Sequence, residues 1–486
     1  MKQILIPLLL AGWSHAAGLT LSSPLESAVV QRLTKDTGRI VIAGSLAPGG
    51  VKAPVLEARI LDGPRSGNWQ ALAPVFAAGG FHATMELPAG GWYRLEVRAL
   101  SEGRVFAESA VSAVGVGEVF VVAGQSNSAN HGAERQSTLT GKVAAFDGQR
   151  WQLAHDPQPG ASGGGGSFLP PFGDALASRF KVPVGIVACG IGATSVREWL
   201  PGGSRFPQPP TLTGLVQQLP GGEWESKGEA FDRLAGRLKL LGPHGCRAVL
   251  WHQGESDANQ QDPTRTLPGN LYRGYLEKVI LGSRQGAGWE VPWFVAQVSY
   301  HVPGDEASPD IRAAQASLWK DGIAHQGPDS DALKGDLRED GGKGVHFSGP
   351  GLRAHAARWV EQVAPWIEQQ TSMPRPGGLT PGPGAAGPPP ARPVIGNLPA
   401  AKVLFLGNSI TLHDPAPEIG WTGRWGMAAT EAAKDYVHLL TADLEKAAGA
   451  PLQTMVRNTA GFEREYETFD IGAELKRIFH GLQGRF

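Results

Sequence analysis

Four short stretches of this chain bring hydroxyl, amide and imidazole groups to places where a strand gives way to a turn. In Val121-Val122-Ala123-Gly124-Gln125-Ser126-Asn127 an apolar run ends in a small, polar turn that lifts the Ser126 hydroxyl to a strand end. There it is either a nucleophile or an ordinary helix N-cap accepting a backbone N–H. Ala188-Cys189-Gly190-Ile191-Gly192-Ala193-Thr194-Ser195 and Leu250-Trp251-His252-Gln253-Gly254-Glu255-Ser256-Asp257 supply a glycine N–H and a side-chain amide. Acyl transfer needs two such donors aimed at a developing oxyanion, and Gly192 and Gln253 fit that need. Taken singly, Gly192 equally suits a tight turn and Gln253 a loop hydrogen bond. The fourth stretch, Gly344-Val345-His346-Phe347-Ser348-Gly349-Pro350-Gly351, places His346 just before a helical run. With an ordinary pKa of about 6.5, an imidazole there can take a serine proton at neutral pH and return it to a leaving alcohol.

The elements that must position these groups follow from periodicity. From Glu118 onward EVFVVAG, PFGDALASRFK, VPVGIVACG, EAFDRLAGRLKLLG, CRAVLWHQG, NLYRGYLEKVILGSRQG and PWFVAQVSY alternate strand with helix. That alternation predicts a parallel sheet with helices on both faces, in which ligands bind beyond the carboxyl ends of the strands. Residues 18–116 instead read as short alternating runs broken by Gly and Pro, among them RIVIAGSL, PVLEARIL and WYRLEVRAL. They predict a small β-sandwich, which carries no cluster of chemical groups and is expected to be accessory.

A length of 486 residues predicts several domains. The balance of 44 basic against 45 acidic residues offers no electrostatic reason to expect nucleic acid or an anionic membrane as partner. Two cysteines make no disulfide framework, and Cys189 and Cys246 lie in apolar runs as small buried thiols. MKQILIPLLLAGWSHAAG has the basic start, short apolar core and small residues of a secretory signal peptide over 1–17, so the mature protein is expected to be secreted or periplasmic and soluble. Residues 371–400 form a Pro/Gly-rich linker.

Together VFVVAGQSNSANHG, GIGATSVREWL, WHQGESD and GVHFSGPG resemble the blocks of the sialate O-acetylesterase-like branch of the SGNH hydrolases, related to carbohydrate esterase family six, over roughly residues 117–370. The resemblance implies a three-layer α/β/α, flavodoxin-like domain and a serine esterase acting on acetylated carbohydrate with water as second substrate. It implies neither cofactor nor metal. By motif, Ser126 is the nucleophile, His346 the base, and Gly192, Gln253 and the Ser126 N–H the oxyanion donors. The sequence departs from the family at the acid, because Lys343 stands where Asp is usual three residues before the histidine. Glu255, Asp340 or a backbone carbonyl is then left to orient His346, with Glu255 preferred over Asp340. Gln125, Asn127, Asn130 with His131, and Trp199 with Glu198 are candidates to line a sugar cleft. Arg312 and Gln315 are either further lining groups or part of a salt-bridged helix face.

The segment 401–486 again begins with a strand running into Gly407-Asn408-Ser409-Ile410-Thr411, similar to the first block of a GDSL-like SGNH hydrolase. It lacks the later blocks and reads as an incomplete second domain. A rival to the esterase reading is a carbohydrate-binding protein that kept the cleft after losing its acid. The motifs do not distinguish sialic acid, xylan or pectin as the acetylated sugar.

Overall fold

The computed structural model describes residues 18–46, 54–63, 66–77 and 80–372, and beyond them 394–395, 398–399, most of 402–464, 469–470 and 472. The expected leader lies outside the described residues, as does nearly all of the expected linker. The chain divides into two compact units, Met1–Pro376 and Gly377–Phe486.

The first unit begins with strands β1 (Leu19–Ser23), β2 (Ala28–Gln31), β3 (Thr37–Leu46), β4 (Val55–Leu61), β5 (Gln70–Ala71), β6 (Val75–Ala77), β7 (Gly80–Pro88), β8 (Gly90–Ser101) and β9 (Arg104–Gly124). One sheet has the order β1-β3-β7-β6, while β8 pairs antiparallel with β4 and with the first half of β9. Alternate residues such as Ile40 and Ile42 of β3, Met85 and Leu87 of β7, and Leu95 and Val97 of β8 share one core, as strands with one buried face require.

β9 runs for 21 residues straight through position 116, where the sequence changes texture, and its second half becomes a middle strand of a parallel sheet. The order there is β11-β10-β12-β9-β16-β17-β18, with β10 (Val143–Phe146), β11 (Trp151–Leu153), β12 (Val184–Ala188), β16 (Ala248–His252), β17 (Trp293–Gln297) and β18 (His325–Asp329). Only β11, at the edge, runs antiparallel to its neighbour. β13 (Arg205–Phe206), β14 (Val216–Gln218) and β15 (Trp224–Ser226) form a small separate sheet.

The helices are α1 (Leu169–Phe180), α2 (Glu229–Leu241), α3 (Gly269–Ala287), α4 (Pro309–Lys320), the single turn α5 (Glu339–Gly342) and α6 (Gly349–Ser372). Val119, Val121 and Ala123 of β9 share a core with Leu234 of α2, Leu276 of α3 and Ile311 of α4. Phe120 and Val122 share another with Phe172 of α1 and Trp359 of α6. A strand buried on both faces is apolar on both, which is why Val119 to Ala123 at the end of β9 read as an unbroken hydrophobic run. Among the described residues no helix is long and apolar enough to cross a membrane.

Glu118 ties the two sheets together. It is fully buried and receives Arg32 at 2.5 Å, Arg247 at 2.6 Å and the Gln31 amide at 2.9 Å. Removing the Glu118 carboxylate would leave the buried Arg32 guanidinium without its counter-charge, at a cost of about 3–5 kcal/mol.

In the second unit the strand Lys402–Gly407 pairs in parallel with Gln453–Asn458, and the helix Tyr436–Ala448 lies between them in sequence.

Candidate active site

The carboxyl ends of β9, β12 and β16 open into a cleft of about 440 Å3. Gly124 makes the turn out of β9: its φ is +127°, and a Cβ there would lie 2.0 Å from the His252 carbonyl oxygen. Only glycine meets both conditions. Gln125 and Ser126 follow, and both line the cleft. Ser126 opens a 3-10 turn, Ser126–Ser128, and its hydroxyl caps nothing, so the N-cap alternative does not describe it.

His346 faces the same cleft from the loop between α5 and α6. Its Nδ1 lies 2.6 Å from Glu339 Oε1. The loop closes on itself: Glu339 N donates to the His346 carbonyl at 2.9 Å, and His346 N to Glu339 Oε1 at 3.2 Å. Gly341 and Gly342, both at positive φ, allow that tight return. This corrects the sequence expectation for the acid. Asp340, one residue on, makes no ion pair with His346 and is exposed, as is Lys343.

Glu255 does not reach the imidazole either. It lines the cleft, but Oε1 accepts from Asn127 Nδ2 at 3.0 Å and lies 3.8 Å from His252 Nδ1. Burial raises its pKa from 4.5 to about 7, while the fully buried His252 is pushed down to about 3 and stays neutral. Asn127 Nδ2 also donates to the Val345 carbonyl at 3.1 Å, so this asparagine is a strut between β16 and the histidine loop. Arg338 braces that loop from below, donating to the Val345, Leu333 and Ser330 carbonyls between the Tyr300 and Phe347 rings.

On the opposite wall Gly192 N donates to Ser162 Oγ at 2.7 Å, and Ser162 Oγ lies 3.1 Å from His131 Nε2. A Cβ on Gly192 would sit 2.5 Å from that Nε2, so glycine lets the imidazole close over the strand end. The His131 ring is 5.5 Å from that of His346. Burial first, and then the neighbouring His346, hold its pKa below the ordinary value, which leaves it neutral and able to accept the Ser162 proton.

Three further expectations are overturned. Gln253 is fully buried, and its Nε2 donates inward to Asp257 Oδ2 at 2.7 Å, the Thr194 carbonyl at 3.1 Å and Gln125 Oε1 at 3.2 Å, so it presents no donor to the cleft. Asp257, which sequence reasoning passed over, is the organiser: it also accepts from Ser195 Oγ and Val196 N and so binds the second block to the third. Trp199 is fully buried edge-on to Trp251, with Nε1 bonded to Thr194 Oγ1. It is core, and Glu198 beside it closes a capping box with Ser195. Asn130 is buried and bonds to Gln158 and Ala161, holding the loop that presents Ser162. Arg312 pairs with Asp329 and Asp331, and Gln315 bonds to Val298 and the Gln253 carbonyl, so both are structural.

Ser256, His301 and Arg265 also line the cleft. The Arg265 Nε is buried without a hydrogen-bond partner, and the charge of the guanidinium is felt by Asp262. Among those residues no group of histidines, cysteines and carboxylates could hold a metal ion.

The parallel sheet and the loop before α6 thus bring Ser126 and the Glu339-held His346 into one cleft. Residues 116–364, just over half of the chain, match the family described as SASA, carbohydrate esterase, sialic acid-specific acetylesterase, and the chain belongs to that family. It is a carboxylic ester hydrolase of the carbohydrate acetylesterase kind. No curated protein matches it. Among solved structures it is similar to a carbohydrate acetylesterase from Xanthomonas citri, at 20% identity over 70% of this chain and 73% of that one, with a TM-score of 0.39. A protein from Arabidopsis thaliana matches at 18% identity over 50% of this chain and 96% of its own, with a TM-score of 0.34. A family two carbohydrate esterase from Clostridium thermocellum, in complex with cellohexaose, matches at 11% over 70% and 90%, with a TM-score of 0.29.

Proposed function

We propose that this protein is a secreted or periplasmic serine esterase that releases acetate from O-acetylated sugars, sialic acids first among them. The observation that carries the mechanism is the presence of Ser126 and the Glu339-bound His346 in one cleft. Ser126 Oγ attacks the acetyl carbonyl while His346 Nε2, the nitrogen Glu339 leaves free, takes the serine proton. Glu339 stabilises the imidazolium, as an acid on Nδ1 does in hydrolytic triads. The oxyanion forms against the Ser126 N–H and the Gly192 N–H, the latter exchanging its bond to Ser162 Oγ for one to the substrate. Collapse returns the proton from His346 to the sugar oxygen, and water, deprotonated by the same histidine, then releases acetate from Ser126. Ser126 and His346 share no hydrogen bond here, and the hydrogen bonds of catalytic groups commonly tighten only when substrate is bound.

The Arg265 Nε, buried without a hydrogen-bond partner, supports a substrate carrying a carboxylate, which a sialic acid does and a neutral pentose does not. Helices whose cores lie on both faces of the parallel sheet support the three-layer, flavodoxin-like reading. The strands before it, largely antiparallel and packed around a core of their own, support the β-sandwich. The apolar start of the chain supports secretion.

Acetate release from O-acetylated sialic acid and from acetylated xylan, by the wild-type protein and by Ser126→Ala, tests the proposal. Release by the wild type alone is expected. No release from either substrate, or equal release by Ser126→Ala, would overturn it.

A further inference from the structure

We infer that the side-chain donor of the oxyanion site is the amide of Gln125, oriented by Gln253 and Asp257; this rests on the serine mechanism proposed above. The inward direction of the Gln253 amide leaves the reaction with two backbone donors and no side-chain donor. The hydrogen-bond network fixes which way each amide is turned. All three neighbours of Gln253 Nε2 are oxygens: Asp257 Oδ2, the Thr194 carbonyl and Gln125 Oε1. All three neighbours of Gln125 Oε1 are nitrogens: Gln253 Nε2 at 3.2 Å, Ser256 N at 3.1 Å and Gly254 N at 3.4 Å. Flipping either amide would set donor against donor or acceptor against acceptor.

With Oε1 committed to the β16 turn, the Nε2 of Gln125 is the end left for the cleft that this residue lines beside Ser126. It has no acceptor among the described residues, unlike the amides of Asn127, Asn130 and Gln253. A nearly buried N–H donor held rigid and unpaired next to a nucleophile is a preorganised electrostatic group, because it need not reorient when negative charge develops. The line Asp257, Gln253, Gln125 passes orientation from a buried carboxylate to that donor: Asp257 fixes Gln253, and Gln253 fixes Gln125.

The test measures kcat and KM for a small acetyl ester and the affinity of a boronic acid, which forms a tetrahedral adduct with an active-site serine. Gln125→Ala is expected to lower kcat about 10²–10³-fold with KM changed less than about threefold. Its boronate affinity should fall at least about tenfold. Gln125→Glu keeps the length of the side chain and Oε1 but replaces the N–H donors by oxygen, so it should show the same kcat loss and serves if the alanine variant folds poorly. Gln253→Ala loosens the donor without removing it and should lower kcat by less than about tenfold.

A Gln125→Ala enzyme that keeps its kcat, or one that only raises KM, would overturn the inference, as would the reverse ranking of Gln125 and Gln253. Absence of both turnover and boronate binding in the wild-type protein would instead overturn the serine mechanism itself.

Discussion

The chain contains two strand-to-turn serines in nearly the same local sequence, Val122-Ala123-Gly124-Gln125-Ser126 and Phe405-Leu406-Gly407-Asn408-Ser409, and their surroundings could hardly differ more. The strand before Ser126 has parallel neighbours on both sides, and the cleft above it receives a histidine held by a carboxylate. The strand before Ser409 pairs with Gln453–Asn458, and a His–Asp pair of that unit, His438 with Asp435, is used locally. Asp435 also accepts from Gly426 N and His438 N, so it is a turn anchor. Ile410, Leu406, Leu439 and Phe462 of that unit stay exposed. A strand-end serine becomes a candidate nucleophile only through what the rest of the sheet places opposite it.

Six substitutions, grouped into four tests, would break or sharpen that contrast. The largest effect is expected at the serines themselves: Ser126→Ala should lower kcat by at least about 10⁴-fold, since loss of the nucleophile in a serine hydrolase removes nearly all turnover. Ser409→Ala should leave kcat within about twofold, and loss of turnover there would make the second unit catalytic.

Next comes the acid. Glu339→Gln should slow turnover about 10²–10³-fold, short of the ~10⁴ seen for a fully sealed triad acid, because Glu339 is partly open to solvent. Asp340→Asn should be nearly silent, and Glu255→Gln should fall between them because it acts only through Asn127. The reverse order would return the acid to Asp340 or Glu255.

A smaller effect is expected at Arg265, which also lines the cleft. For Arg265→Ala, the ratio of kcat/KM between an acetylated sugar acid and its methyl ester should fall about tenfold, the scale of one charge-assisted hydrogen bond. An unchanged ratio would remove the carboxylate subsite.

The smallest effect is on stability. Burial makes Glu255 hold its proton more tightly folded than unfolded, so its favourable contribution is complete below about pH 4.5 and is lost as the pH rises to about 7. Glu255→Gln removes that loss. Its melting temperature relative to wild type should therefore be higher at pH 8 than at pH 5, and a pH-independent difference would contradict the shift.

The parts of the candidate site that the sequence brought to one cleft were those fixed by position along the sheet. Ser126, Gly192 and His346 each follow or face a strand end, and the alternation of strand and helix already implied where those ends meet. The acid was hidden because Glu339 reaches His346 across a loop whose closure depends on positive φ at Gly341 and Gly342, which spacing does not encode. Gln253 was misjudged because a motif names a residue and not the direction of its amide; Asp257, four residues on, turns it inward. Trp199 illustrates an ambiguity of aromatic residues, which serve cores and sugar clefts with the same surface. In the fold, the textures on either side of residue 116 were plain, but the single strand β9 that joins them was not, because Gly115 and Gly117 look like punctuation. They are instead points of close approach: a Cβ on Gly117 would lie 1.8 Å from the Pro183 carbonyl oxygen.

The most direct test of the account is to locate the covalent adduct. The full-length protein would be treated with a fluorophosphonate, which phosphonylates an activated serine, and the modified residue identified by peptide mass spectrometry in the wild type and in Glu339→Gln. The account predicts a single adduct on Ser126, formed markedly more slowly in Glu339→Gln, with Ser409 unmodified. An adduct on Ser409, or acetyl ester turnover that continues with Ser126 unlabelled, would contradict it.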